Sequence, residues 1–368
     1  MNTYLWLIVV SSSVSAAVTW LLILTESVHL QFTGDPNLGS PQKVHDVVVP
    51  RVGGIAVILG MIAGSWLLIV EDSTSSTKLQ WTGVALLPIV LAGLWEDLTK
   101  NVSTRGRLLA SFISAAIIFF ALELQLPKTG WEWFDTTASL IPGVTLFLIL
   151  FFVGSAAHAS NLIDGLNGLS GGFGLLCYGM LAWISHQVDA HLLLSINVIM
   201  IGSLLGFIVF NYPKGRIFLG DSGAYLLGFV SSIQMLLLIK QNDEILIWTI
   251  LFILAYPLIE TAYTIYRRLF FQNKSIGQPD AQHLHAMLYR YLLLNNFYKV
   301  DLKTIRFKQK INSLTSLVIL AVVALWMLIA VFWWRNSLIM VVATILFVFF
   351  YIGVYNWLSR QMATQIDI

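Results

Sequence analysis

Charge is what this sequence has least of. Only 11% of its 368 residues are Asp, Glu, Lys or Arg, while 57% are hydrophobic; soluble proteins usually carry roughly 25% charged residues. The mean hydropathy is +0.79, and a water-soluble globule of this size could not cover its surface with so few charges. Cysteine is nearly absent too. Cys177 is single and lies in an apolar run, which excludes an intrachain disulfide and argues against a redox or zinc-thiolate role. The first apolar run lacks a basic leader and an A-x-A-like cleavage site, so it is expected to stay in the chain. No internal repeat of about 20–50 residues and no low-complexity tract is visible. Soluble, disordered and disulfide-stapled classes are thereby excluded. What remains is an all-α, polytopic integral membrane protein.

A bilayer core takes about 20 apolar residues per helix. Eleven runs are expected to span it, near residues 4–24, 53–70, 80–95, 108–126, 139–157, 168–185, 191–210, 221–239, 245–265, 314–333 and 337–357. Basic residues set the orientation. With the N-terminus outside and the C-terminus cytoplasmic, 17 of the 21 Lys and Arg residues fall inside and only Lys78, Lys128, Lys240 and Arg335 fall outside. The chain reads as a single membrane domain, 1–368, with functional loops at 25–52, 95–107, 158–167, 211–221 and 266–313 on the cytoplasmic face. The stretch Lys299–Lys310 is expected to attract anionic lipid. Trp131 and Trp133 are expected to rest at the outer headgroups.

The unusual chemistry collects at the inside ends of these runs. Glu96-Asp97 closes one of them, where each ionisable group is costly to bury. A solvated helix end would explain the pair alone, but adjacent carboxylates also suit Mg²⁺ or a catalytic base. Asn161, Asp164 and Asn167 recur every three residues, so a helical turn would bring them near one face. Glycines 165, 168, 171 and 172 allow close approach of backbone or ligand. Asp221 stands in Gly-Asp-Ser-Gly where an apolar run resumes, shortly after Lys214 and Arg216. A metal-holding carboxylate beside basic residues suits a phosphate-rich ligand. His283 and His285 lack zincin spacing, and phosphate contact is their more natural role. Lys43, His45 and Arg51 precede another run, with Gly53-Gly54 as a turn.

The order Pro-Arg-x-Gly-Gly, acidic pair, Asn-Leu-Ile-Asp-Gly-x-x-Gly-Leu, Phe-Asn-x-Pro…Gly-Asp-Ser-Gly and Pro-Asp-x-x-His-x-His resembles the polyprenyl-phosphate N-acetylhexosamine-1-phosphate transferases. The likeness runs from about Lys43 to His285, most of the chain. It implies that undecaprenyl phosphate attacks the β-phosphorus of a UDP-N-acetylhexosamine, giving undecaprenyl-diphosphate sugar and UMP, with Mg²⁺ or alternatively Mn²⁺ as cofactor. It also implies a bacterial inner-membrane location and membrane lipid around the chain; a homodimer is allowed, and no nucleic-acid partner is expected. Catalysis depending on positioning and charge neutralisation fits the residues without the family name.

By the same resemblance Asp221 is the metal-binding Asp, joined by Asn161. Asp97 corresponds to the acidic-pair member proposed as base or nucleophile, and Glu96 and Asp164 are the other catalytic candidates. Asn167 matches a uracil-contacting position, and His283 and His285 match a loop closing over the diphosphate or sugar. Lys43, His45, Arg51, Lys214 and Arg216 are the remaining substrate-binding candidates. A lipid phosphate with a second pKa near 6 is largely dianionic at neutral pH, which favours direct displacement over an aspartyl intermediate. The run containing Pro257 is expected to kink beside a lipid groove.

Four departures mark this sequence. Glu96 replaces the usual first Asp, and His158 a usual Asn; Asn167 stands for the bacterial Asp; the third His is Ala286, with no Arg before the pair. They point away from the peptidoglycan-type translocase acting on UDP-MurNAc-pentapeptide and toward an O-antigen or surface-polysaccharide initiator. A membrane transporter is the rival class, but no inverted repeat is visible and the polar clusters sit at run ends on one face. A scaffold that has lost catalysis is a third reading, opposed by the retained Asp97, Asp164 and Asp221.

The orientation is directly testable because Cys177 is the only native thiol. In intact cells, Arg335→Cys should react with a membrane-impermeant maleimide, whereas Arg216→Cys should react only after the membrane is opened. The opposite pattern would invert the topology.

Overall fold

The computed structural model describes residues 2–34, 48–71, 76–272, 280–295 and 305–366. Among the described residues the chain forms fifteen helices: α1 Asn2–Leu24, α2 Glu26–Thr33, α3 Gly53–Glu71, α4 Ser76–Thr99, α5 Thr104–Ala121, α6 Glu132–Ser139, α7 Pro142–Leu162, α8 Leu169–Gln187, α9 His191–Asn211, α10 Gly220–Gln241, α11 Ile247–Ile253, α12 Ala255–Phe270, α13 Leu284–Asn295, α14 Ile305–Trp333 and α15 Ser337–Ile366. Their single extended feature is an isolated antiparallel bridge between Gly34 and Pro50. An all-helical architecture follows from the solvent: inside lipid every backbone polar group must be satisfied within the chain, and a helix does so locally.

Nine of these helices (α1, α3, α4, α5, α7, α9, α10, α14 and α15) are long and apolar enough to cross a membrane. The pair α11 and α12, bent by 80° at Leu254, would make a tenth. The expected run at 168–185 exists as α8 but falls short of the same apolarity. Gly171, Gly172, Gly174 and Gly179, with Ser170 and Ser185, dilute its hydropathy. Most of α8 is nevertheless buried, so it packs against protein more than lipid. The kink expected from Pro257 is present. Proline lacks the N–H that would bond the carbonyl four residues back, and the ladder resumes with Leu258 N–H donating to Leu254 O at 3.1 Å.

The bundle is organised around α10, whose span is buried along its whole length. Helices α3, α4, α7, α8 and α9 pack against it, while α1 and α15 carry many exposed apolar side chains. Close approach at the end of α10 requires missing side chains. A Cβ on Gly54 would lie 2.4 Å from Gly223 N, and one on Gly93 would lie 2.7 Å from Ser222 Cα. Small residues of this kind let membrane helices meet backbone to backbone. Segment 50–54 is pinned to the same region by backbone bonds: Phe218 N–H donates to Pro50 O at 2.9 Å, Gly53 N–H to Phe218 O at 2.9 Å and Gly54 N–H to Leu219 O at 2.7 Å. The first turns of α3 and α10 and the last turns of α4 therefore form one rigid end. At the opposite end Trp131 packs edge-on against Trp248, with ring centroids 5.7 Å apart, and Trp133 is exposed.

Gly54→Val should lower the thermal midpoint of the purified protein, reflecting overpacking of about 1–3 kcal/mol or more. Gly83→Ala, with no atom within 4 Å of the added carbon, should be neutral or stabilise by up to about 1 kcal/mol. Equal melting of the two variants would refute the close-packing account.

Candidate active site

Helix α10 begins at Gly220 without a side-chain cap from its own N-cap residue, Leu219. The acceptor for its first N–H groups comes from α4 instead. Asp97, fully buried, accepts from the Asp221 N–H at 2.8 Å, the Ser222 N–H at 3.0 Å and the Ser222 hydroxyl at 2.8 Å. A carboxylate at a helix N-terminus satisfies orphan donors and opposes the positive end of the dipole. Gly220 has a φ of 78°. A side chain there would also lie 2.2 Å from Arg51 O and 2.8 Å from an Asp97 oxygen. Only glycine fits.

This end places Asp221 where two guanidinium groups reach it. Arg51 donates to Oδ1 at 2.9 Å, and Arg107, from the first turn of α5, donates to Oδ2 at 2.6 Å. Arg107 also approaches Glu96 at 4.0 Å, while the second Glu96 oxygen accepts the Val102 N–H at 2.8 Å. Asp164, on the turn after α7, is half-buried. Burial pushes its carboxyl up to about 7; Arg51 and the Gly220 N–H oppose the rise, and the Asp221 and Asp97 charges add to it. Asp97, Asp164 and Asp221 thus meet at one helix terminus, together with Glu96 and Arg51, a closer grouping than the shared membrane face expected from the sequence. His158 lies nearby on α7, its ring edge-on to Tyr225 at 5.0 Å.

Asn167 ties three segments together. Its N–H donates to Asn312 Oδ1 at 2.8 Å and its side-chain amide to Pro213 O at 3.1 Å, leaving a buried Oδ1 without a hydrogen-bond partner. The next residue, Gly168, donates its N–H to Asn211 Oδ1 at 2.7 Å. Asn161 stands on the last turn of α7, where its backbone carbonyl accepts the Asp164 N–H at 3.2 Å. Lys214 and Arg216 are exposed on the turn that precedes α10. Lys43, His45 and Pro279 lie outside the described residues.

The histidine loop is anchored to α12. Asp280 pairs with Arg267 and lies 3.6 Å from Arg268. His283 and His285 are stacked with centroids 5.5 Å apart and planes 11° apart. His285 is buried against the Asp164 turn: a Cβ on Gly165 would lie 2.5 Å from its Nε2. Burial pushes the His285 imidazole down to about 4, with His283 and Arg290 adding to the shift and Glu260 opposing it.

A membrane-embedded bundle with an acidic cluster ringed by arginines at one helix end fits an enzyme that handles phosphorylated substrates. Residues 79–239 match the model of glycosyl transferase family 4, and the chain belongs to that family. The protein is similar to the probable undecaprenyl-phosphate N-acetylglucosaminyl 1-phosphate transferase of Bacillus subtilis (strain 168), at 29% identity over 262 residues, covering 68% of each chain. It is also 30% identical over 258 residues to the undecaprenyl-phosphate alpha-N-acetylglucosaminyl 1-phosphate transferase of Salmonella typhi, covering 68% of this chain and 67% of that one. A phospho-N-acetylmuramoyl-pentapeptide-transferase of Lactobacillus johnsonii is 28% identical over 252 residues, covering 64% of this chain and 75% of its own.

Two residues of the site are not among those the sequence pattern singled out. Arg107 counted only as one more inside charge, and nothing in its spacing tied it to Asp221. Glu260 carried a readable signal, a carboxylate inside an apolar run, but it belongs to none of the motifs that drew notice to the other polar residues.

His285 gives the fold a pH dependence of defined sign. A buried imidazole that titrates near 4 in the folded protein, against about 6.5 unfolded, lets the unfolded chain bind more protons below about 6.5. Stability should therefore fall as pH drops from about 6.5 toward 4 and level off below it. His285→Asn should flatten that part of the melting-temperature profile. An unchanged slope would show that other groups set it.

Proposed function

We propose that this protein transfers an N-acetylhexosamine 1-phosphate from a UDP-sugar to undecaprenyl phosphate, giving undecaprenyl-diphosphate sugar and UMP, at the cytoplasmic face of a bacterial inner membrane. One observation carries the reading: Asp97, Asp164, Asp221 and Glu96 meet Arg51 and Arg107 around the first turn of α10, in a chain of a family whose named relatives perform this transfer. The bias of 17 of 21 basic residues supports the cytoplasmic side.

The chemistry follows from the groups present. An oxygen of the lipid phosphate attacks the β-phosphorus; the new P–O bond forms as the bond from that phosphorus to the bridging oxygen breaks, and UMP leaves with the electron pair. Arg51 and Arg107, with Lys214 and Arg216 on the neighbouring turn, would offset the diphosphate charge. Lys43 and His45 would contribute from the same face, Asn167 would hold the uracil, and His283 and His285 would contact the diphosphate or sugar. Both Asp97 oxygens are engaged by α10, which suits it to holding Asp221 in place. Glu96 has one oxygen on the Val102 N–H and Asp164 accepts the Gly220 N–H; Asp164, whose carboxyl is pushed up to about 7, is the carboxylate best suited to exchange a proton with the lipid phosphate.

The donor chemistry fits a hard divalent cation. Four carboxylates gather with two guanidinium groups at this helix end, a donor set made of oxygen ligands. Among the described residues no cluster of three His, Cys, Asp or Glu forms a metal cage; Mg²⁺ needs only one or two carboxylates, completing its shell with water and substrate phosphates. Asp221 with Asn161 would hold Mg²⁺ or Mn²⁺, which when bound would neutralise and polarise the phosphoryl oxygens. The product carries the first sugar of a surface polysaccharide such as O-antigen, which further glycosyl transferases would extend.

Purified protein supplied with Mg²⁺, undecaprenyl phosphate and a panel of UDP-sugars should release UMP with at least one sugar, and Asp221→Ala should reduce the rate by about 10³-fold or more. Absence of UMP with every sugar would remove the transferase reading. Full activity in Asp221→Ala would remove the metal assignment alone.

A further inference from the structure

Behind the histidine loop lies a carboxylate for which the transfer chemistry has so far found no use. Glu260 is in the second turn of α12, shortly past the 80° break, and is fully buried. Burying a charge in a membrane bundle is expensive unless it is paired; the groups against one Glu260 oxygen belong to the loop, while Oε2 has no hydrogen-bond partner and Tyr351 of α15 lies close by. Glu260 Oε1 accepts the Leu284 N–H at 3.1 Å and faces His283 Nδ1 at 3.3 Å. Thr264 Oγ1, one helical turn on, is 3.3 Å from the same nitrogen. An ionised carboxylate can only accept, so the proton of the neutral imidazole belongs on Nδ1 and Nε2 keeps its lone pair. The ring so held stacks on His285, and His285 abuts Gly165, beside Asp164. A continuous set of contacts thus runs from a rigid helix through both histidines to the acidic turn.

We propose that Glu260 is a positioning residue for the transfer reaction: through Nδ1 it orients His283, directs Nε2 toward the substrate and compensates the charge when Nε2 carries a proton. The proposal rests on the sugar-phosphate transferase reading. It assigns Glu260 the part that a carboxylate behind a functional histidine plays elsewhere, fixing tautomer and ring orientation.

The test combines kinetics with a readout that does not need turnover. Glu260→Gln keeps the shape and removes the charge. It should lower kcat and kcat/KM together by about 10–100-fold, with an unchanged melting temperature. In a His283→Gln background the same change should cost less than about twofold more. A merely structural role would instead give equal losses in both backgrounds, and that result would overturn the proposal. Independently, ¹⁵N-histidine NMR of the full chain in lipid nanodiscs should show His283 as the Nδ1–H tautomer, its signal assigned by loss in His283→Gln. Glu260→Leu should shift it toward the Nε2–H form; an unaltered tautomer would equally overturn the proposal. Should the wild-type protein release no UMP from any sugar, the transferase reading fails, while the NMR result still decides whether Glu260 sets the state of His283.

Discussion

The site depends on one interaction, the Asp97 carboxylate on the first turn of α10. A helix begins with N–H groups that have no partner within the helix, and α10 begins inside the bundle, where water is scarce. Leu219 offers no side-chain cap, so the acceptor has to come from another segment. Asp97 supplies it from the end of α4, 124 residues away in sequence from Asp221. Leaving those donors unpaired would cost about 1–3 kcal/mol each. The same bonds fix where Asp221 stands, because Asp221 is the residue whose N–H is held.

The charge arrangement follows from that placement. With α10 starting at a fixed point, its positive end favours the acidic residues gathered around it, and Arg51 and Arg107 close on Asp221 from the start of α3 and the first turn of α5. Negative charge concentrated at a helix end would repel itself without those guanidinium groups. The balance is one that a polyphosphate can enter, since an arginine paired with a carboxylate can equally pair with phosphate. The glycines at 54, 93 and 220 matter for the same reason: each removes a side chain that would push a neighbouring backbone or the Asp97 carboxylate away.

Much of this is legible in the order of the amino acids. Long apolar runs mark the helices because hydropathy is a local property, and Pro257 marks the kink because a missing N–H acts on its own helix. Asp97, Asp164 and Asp221 stand out because carboxylates are rare in so apolar a chain. Legibility fails where composition and environment part company. Helix α8 is buried although its glycines and serines make it less apolar than its neighbours, and Arg107 looks like a topological charge until the fold sets it against Asp221. Glu260 is visible in the sequence but has no partner within its own run.

The sequence by itself therefore determined the solvent this chain lives in, the approximate places of its helices and the few polar residues worth suspecting, since each is decided by residue type and short-range spacing. Only the tertiary structure decided what those residues do to one another. That the Asp97 carboxylate caps α10, and that Glu260 stands against His283, depends on distances between segments separated in the chain. Those distances are set by packing, because hydrogen bonds and ion pairs act over a few ångströms whatever the separation in sequence.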